Sequence, residues 1–311
     1  MGDYCFGIDV GGTTIKLGFF RTDGSLLEKW EVPTRLEEQG ENILPDAAAE
    51  VQRVIREKGL RPEQICGVGL AVPGPVNDEG EASQAVNLHW GYKHLVRELG
   101  GMLNLPVRAA NDANAAALGE LWQGAGKGCR NMIMVTLGTG VGGGIIVNGK
   151  IVAGEHGAAG EIGHACVKPS ETAVCNCGNH GCLEQMASAT GIVRLAKLEL
   201  SGCEEDSLLR GQEVTAKNVF DAYKQKDALA ERVVETFAEY LGNALSIYAC
   251  VVDPGRIVIG GGVSKAGEIL IAPIQTYYVR DAFPACKDTP IVLAKLGNDA
   301  GIYGCAKLVL E

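Results

Sequence analysis

Leu137-Gly138-Thr139-Gly140-Val141-Gly142-Gly143-Gly144-Ile145-Ile146-Val147-Asn148-Gly149 is the stretch that decides the fold. It satisfies the letter of G-x-G-x-x-G, the dinucleotide fingerprint, but that fingerprint needs a helix straight after its glycines. Here an apolar run and Asn148-Gly149, a strong hairpin signal, follow instead. The stretch therefore reads strand, glycine loop, strand, turn, and a nicotinamide site is rejected. No Gly-Lys-Ser/Thr closes the loop, so a Walker A site is rejected as well. The chain opens in the same way. Tyr4 to Val10 is an apolar strand, Gly11-Gly12-Thr13 breaks it, and Thr14 to Phe20 is a second strand.

Outward from these two clasps the pattern repeats. In the first half a turn at Thr22–Ser25 leads to a strand at Leu26–Val32. Helical periodicity follows at Pro45–Lys58, Tyr92–Leu103 and Asp112–Gln123, with extended runs at Ile65–Val72 and Pro106–Ala110. In the second half strands are expected at Asn131–Leu137, Arg256–Ile259 and Ile291–Lys295. Helices are expected at Leu183–Leu200, Ala216–Lys224, Ala228–Val252, after a cap at Ser264, and at Ala300–Leu310. Architecture recurs, not a short sequence period, so solenoids are excluded. The expectation is an α/β chain of two lobes facing across a cleft, with both glycine loops at its opening and a boundary near Gly124–Gly128.

Gly11, Gly12, Gly138, Gly140 and Gly142 leave backbone N–H groups uncovered, so phosphate oxygens can approach, and Thr13, Thr136 and Thr139 add hydroxyl donors. Either loop alone reads equally well as an ordinary hairpin; two in equivalent places point to phosphate. Asp9, at a strand end, suits either the hydration shell of Mg2+ or plain solvation. Asn111-Asp112 stands between a strand and a helix. Asp is a preferred N-cap there, yet a helix N-terminus also keeps a carboxylate ionised and able to accept a proton from a hydroxyl attacking phosphorus. Both readings of Asp112 stand, and Asn111 can donate and accept to adjacent hydroxyls.

A second stretch reads Gly160-Glu161-Ile162-Gly163-His164, then Cys175-Asn176-Cys177-Gly178-Asn179-His180-Gly181-Cys182-Leu183-Glu184. His164, Cys175, Cys177 and Cys182 have the composition of a tetrahedral Cys3His zinc site, with plain reduced cysteines as the bland alternative. Glu161 and Glu184 flank the set without being needed as ligands. The metal would fix a loop that presents both carboxylates and the outer nitrogen of His164 to a polyol.

Totals narrow the class. The 311 residues suffice for two domains with full cores. A formal charge of −10 argues against a nucleic-acid backbone as partner. Eleven cysteines scattered along apolar segments do not form a secreted disulfide pattern. The N-terminus has no signal-peptide character, and no run of about eighteen apolar residues can span a bilayer. A cytoplasmic protein without a membrane partner is expected.

With these residues in hand the chain resembles the ROK family of sugar kinases and repressors over nearly its whole length. Asp9-Val10-Gly11-Gly12-Thr13-Thr14-Ile15-Lys16 is similar to the family's first phosphate loop, Leu137–His164 to its signature, and the zinc set matches residue by residue. The resemblance implies an actin/hexokinase-like (ribonuclease H-like) ATPase fold with a cleft between lobes. Residues 1–122 would form the first lobe, rejoined by a C-terminal helix at 297–311, and 123–296 the second. It implies ATP-dependent phosphorylation of a hexose with Mg2+, with Asp112 as base. Gly74, Asn87, Asn111, Asp112, Glu161, His164 and Glu184 would lie at the sugar. Gly261 and Gly262 would lie near adenosine and Lys16 near phosphate, although Thr14 stands where many members carry Lys. Glucose leads among sugars; N-acetylmannosamine, N-acetylglucosamine, fructose and allose are alternatives, as is a non-catalytic sugar sensor. Repressor relatives place a DNA-binding segment ahead of the sugar domain, and only a few residues precede the first strand here. A homodimer or homotetramer is implied.

Overall fold

The computed structural model describes residues 2–310. Its first sheet holds β1 (Tyr4–Val10), β2 (Thr14–Arg21), β3 (Leu26–Pro33), β4 (Ile65–Val72) and β5 (Val107–Asn111), in the order β3-β2-β1-β4-β5. The second holds β6 (Met132–Leu137), β7 (Val141–Val147), β8 (Lys150–Ile151), β9 (Arg256–Gly260) and β10 (Ile291–Leu293), in the order β10-β9-β6-β7-β8. Taken from its other edge, the second order is strand for strand the first. In both, the central strand has a parallel neighbour: β1 pairs with β4 and β6 with β9. Asn148 and Gly149 both have positive φ and close the β7–β8 hairpin at Val147↔Lys150, as an Asn-Gly turn should.

Nine α-helices accompany the sheets among the described residues: α1 (Ile43–Glu57), α2 (Leu95–Leu103), α3 (Asp112–Gln123), α4 (Glu184–Ala187), α5 (Ala189–Gly202), α6 (Ala216–Lys224), α7 (Ala228–Val252), α8 (Ile271–Asp281) and α9 (Ala300–Leu308). In α1 the buried face is Ile43, Leu44, Ala47, Ala48, Val51 and Val54, spaced three and four apart as an amphipathic helix requires. The single helix expected over Leu183–Leu200 is two. Ser188 adopts an extended conformation and its hydroxyl accepts from Gly191 N, so it ends α4 and caps α5. Ser264 does not cap an α-helix either; its hydroxyl donates to Gly261 O within a 3-10 turn, and α8 begins at Ile271.

The chain divides into two compact units. One comprises Met1–Gly128, Gly144–Gly160 and Lys295–Glu311, the other Cys129–Gly143 and Glu161–Ala294. Residues 144–160, expected with the second lobe, count with the first unit; Gly144 lies against Ala113 and Ala117 of α3, and Gly157 against Val76.

Within the first unit α9 packs on α3 and on β1. Backbone-to-backbone contact replaces side-chain packing here: a Cβ at Gly304 would collide with the Ala115 carbonyl, and one at Gly119 with that of Ala300. One buried carboxylate secures this arrangement. Glu120 is fully buried, and its oxygens accept from Ala125 N at 2.6 Å, Lys295 N at 3.0 and 3.1 Å, and Leu296 N at 2.7 Å. Four charge-assisted contacts compensate the cost of burying it.

Candidate active site

In the first unit, β1 carries Asp9 to the mouth of the first glycine loop, directly across the hairpin from Lys16. Gly11 N donates to Thr14 O at 2.9 Å and closes the loop. Thr34 braces it, donating its N–H to Thr13 O at 2.9 Å and its hydroxyl to Gly11 O at 2.7 Å. A Cβ at Gly12 would lie 3.8 Å from Asn87 O, so the segment holding Asn87 borders the loop. Lys16 Nζ donates to Asn298 O at 3.3 Å, just ahead of α9. The Asp9 carboxylate sits against the first turn of α9, where it would collide with a Cβ at Gly301. Burial, then the charge of Asp112, push Asp9 up to about 6, while Lys16 acts the other way.

The start of α3 bears on the cap reading of Asp112. The N-cap is Asn111, whose side-chain oxygen accepts from Ala113 N at 2.9 Å and Asn114 N at 3.2 Å. Its Nδ2 donates to Gly74 O at 3.0 Å, joining two of the residues expected at a sugar. Asp112 is the first helical residue; it is solvent-exposed and accepts from Ala113 N through Oδ1 at 2.8 Å. The helix is thus capped by a neutral amide, and Asp112 stands beside the cap at the positive end of the dipole.

In the second unit the metal-type residues converge. One ligand atom each from His164, Cys175, Cys177 and Cys182 falls within 4.8 Å of the others. Cys177 Sγ is 3.6 Å from Cys182 Sγ, and Cys175 Sγ is 3.8 Å from His164 Nδ1. A tetrahedral zinc with arms of about 2.3 Å has ligand-to-ligand edges of about 3.8 Å, so the donor set fits that ion. His164 turns Nδ1 inward and leaves Nε2 outward, 3.9 Å from Glu161 Oε2.

The second glycine loop is tied to the same knuckle. Glu184 Oε2 accepts from Val141 N at 3.0 Å, and its Oε1 lies 4.0 Å from Cys175 Sγ. A Cβ at Gly140 would strike the Glu184 carboxylate, so only glycine allows this approach. Gly138 O accepts from Ala189 N at 2.8 Å, and Thr139 O from the Thr190 hydroxyl at 2.8 Å. Thr136 is in register with Gly260, and the Gly261 backbone lies against Leu137, beside Gly262 at the start of the next turn. Gly142 follows within β7. Two clusters therefore exist. The first unit groups Asp9, Gly11, Gly12, Thr13, Lys16, Gly74, Asn87, Asn111 and Asp112; the second groups the 136–142 clasp, Gly261, Glu161, Glu184 and the thiols. Sequence reasoning missed Glu120, since two of its three partner residues, Lys295 and Leu296, lie 175 and 176 residues away and leave no local signal.

The ROK family pattern matches residues 5–311. The chain belongs to the ROK family. It is 45% identical over 311 residues to a glucokinase of Halalkalibacterium halodurans, covering 98% of this chain and 94% of that one. It superposes on the ROK hexokinase of Thermus thermophilus with a TM-score of 0.83 at 34% identity, covering 97% and 96% of the two chains. It superposes on a ROK glucokinase of Streptomyces griseus, solved with glucose and AMPPNP, with a TM-score of 0.77 at 34% identity and 98% coverage of both chains. The two-lobed actin/hexokinase-like fold is thus that of the ROK sugar kinases. No helix among the described residues is long and apolar enough to cross a membrane.

Proposed function

We propose that this protein is an ATP-dependent glucokinase that transfers the γ-phosphoryl group to the 6-hydroxyl of glucose. The observation that carries the reading is the separation of tasks at the start of α3. Asn111 caps the helix and holds Gly74, and Asp112 beside it is an exposed carboxylate at a helix N-terminus. In this reading Asp112 accepts the proton of the 6-hydroxyl as that oxygen attacks phosphorus. Gly74, Asn87, Asn111, Glu161, His164 and Glu184 hydrogen-bond the remaining hydroxyls. The clasps at Gly11–Thr13 and Thr136–Gly142 cradle the phosphates of ATP, and Gly261-Gly262 lies toward its adenosine. A relative of the same fold binds glucose with an ATP analogue, and the one at 45% identity is a glucokinase.

Two metals belong to this reading. Asp9 is a half-buried carboxylate with too little compensating charge nearby, a setting a divalent cation relieves. It would hold Mg2+, which when bound neutralises phosphate charge. The thiols and His164 Nδ1 would hold a structural Zn2+, fixing the loop from which Glu161, His164 Nε2 and Glu184 project. Assembly as a dimer or tetramer completes the proposal; exposed Ile247 and Val251 on α7 and Phe283 after α8 offer apolar surface for it.

A coupled assay of ADP release, run over glucose, N-acetylmannosamine, N-acetylglucosamine, fructose, allose and a sugar-free control, tests the reading. ADP release with glucose, above every other sugar, is expected. Glucose binding without ADP release would make the protein a sugar sensor.

A further inference from the structure

A fourth thiol stands beside the metal-type cluster and has no part in it. Cys166 is exposed and lies two residues after His164. Its backbone is paired with that of Cys182 in an isolated antiparallel bridge. The hydrogen bonds of that bridge run from Val167 N to Gly181 O at 2.8 Å and from Leu183 N to Ala165 O at 2.9 Å. Both flank the pair, so Cys166 and Cys182 occupy a non-hydrogen-bonded position of the ladder. Directly opposed residues at such positions have Cα atoms about 4.5 Å apart and side chains on the same face. That separation falls within the window of about 4.4–6.8 Å a disulfide requires. The Cys166 thiol does lean toward the opposite chain: a Cβ at Gly181 would lie 3.3 Å from its sulfur.

We propose that Cys166 is an oxidation site whose disulfide partner is Cys182, so that a peroxide removes one of the four zinc ligands. The inference rests on the zinc reading given above. The pair is built asymmetrically. Cys182 is fully buried and belongs to the ligand set, whereas Cys166 is exposed and outside it, so the oxidant meets Cys166 first. Hydrogen peroxide balances the reaction. The Cys166 thiolate attacks one peroxide oxygen, an S–O bond forms, the O–O bond breaks and the departing hydroxide is protonated to water. The Cys182 sulfur then attacks the sulfenic sulfur; the S–S bond forms, the S–O bond breaks and a second water leaves. The two thiols lose two electrons and the peroxide gains them. Cys175, Cys177 and His164 are then left as three ligands. The loop ending at Glu184, two residues beyond Cys182, loses its anchor.

The test exposes purified zinc-loaded protein to hydrogen peroxide and follows metal release with a chromophoric chelator. Glu171 separates the thiols, so cleavage after glutamate without reduction yields peptide 162–171 carrying Cys166 and peptide 172–184 carrying the other three. Expected are the two peptides joined through Cys166 and Cys182, release of the zinc, and recovery of both on addition of dithiothreitol and zinc. Cys166→Ser is expected to release zinc about tenfold more slowly, or not at all, under the same exposure. Equal release from Cys166→Ser, or a bond confined to peptide 172–184, overturns the proposal. Protein that carries no zinc as purified overturns the zinc reading alone, and the peptide linkage, measured on the metal-free chain, then decides the pairing by itself.

Discussion

At the residue scale the start of α3 separates two roles that one aspartate can fill. An Asn-Asp pair at a helix start gives no hint of which residue is the cap. Only the hydrogen bonds from Ala113 N and Asn114 N to Asn111 settle it. If Asp112 is the base, Asp112→Asn lowers turnover by roughly 10²–10⁴ and leaves helix content and glucose binding intact. Single-turnover kinetics with calorimetric glucose titration check this, and wild-type turnover in the variant would return Asp112 to a structural role. Asp9 makes a different kind of prediction. Its carboxyl titrates near 6 in the folded chain against an ordinary value of 3.8. Between those two values the folded protein holds a proton that the unfolded chain has released, so stability falls as pH rises through the window. Asp9→Asn removes that penalty. Its melting-temperature advantage over wild type in the absence of ligand is expected to grow from pH 4 to pH 7 and then level off, while kinase activity falls. An advantage that shrinks with rising pH would show that Asp9 does not carry the shift.

At the scale of elements, local signals located the parts and non-local ones joined them. The strand–loop–strand clasps, the Asn148-Gly149 turn and the Asp112–Gln123 helix are legible because each rests on neighbours within a few residues. The break at Ser188 is not, because Ala187, Ala189 and the residues around them all accept helical geometry. Ser188 divides α4 from α5, and Ala189 N beside it donates to Gly138 O, far off in sequence. Glu120 is illegible for the same reason: a glutamate in an alanine-rich helix reads as surface until Lys295 and Leu296 arrive. The α3–α9 contact gives a sharp prediction. Gly304→Ala drives a methyl into the Ala115 carbonyl and is expected to cost about 1–3 kcal/mol, read by urea denaturation. A neutral outcome would mean that the helix pair yields easily.

At the scale of the molecule, two sheets of one topology had only to be counted. Their equivalence was readable from the repeated order of strand, glycine loop, strand and turn. The allocation of residues 144–160 was not, since it rests on non-local contacts such as those of Gly144 with α3 and of Gly157 with Val76. Ligand linkage tests the functional reading on the whole chain. Glucose at about 100 times its dissociation constant adds about 2.7 kcal/mol of stability, so a rise in melting temperature is expected for wild type and Asp112→Asn alike. Galactose, epimeric at a single hydroxyl, serves as the comparison, and an equal rise with it would dissociate the fold from glucose recognition.

The helix α9 has a consequence for synthesis. It covers β1 and fills the space beside α3, yet in chain order it comes after the whole of the second unit. The second unit ends at Ala294 and has its full sequence earlier. During translation the first sheet therefore waits, with an apolar flank uncovered, until the second unit has been read through. A premature stop between Ala294 and Ala300 then leaves the second unit's sequence whole but strands a half-built first unit, a species suited to aggregation and to proteolytic clearance.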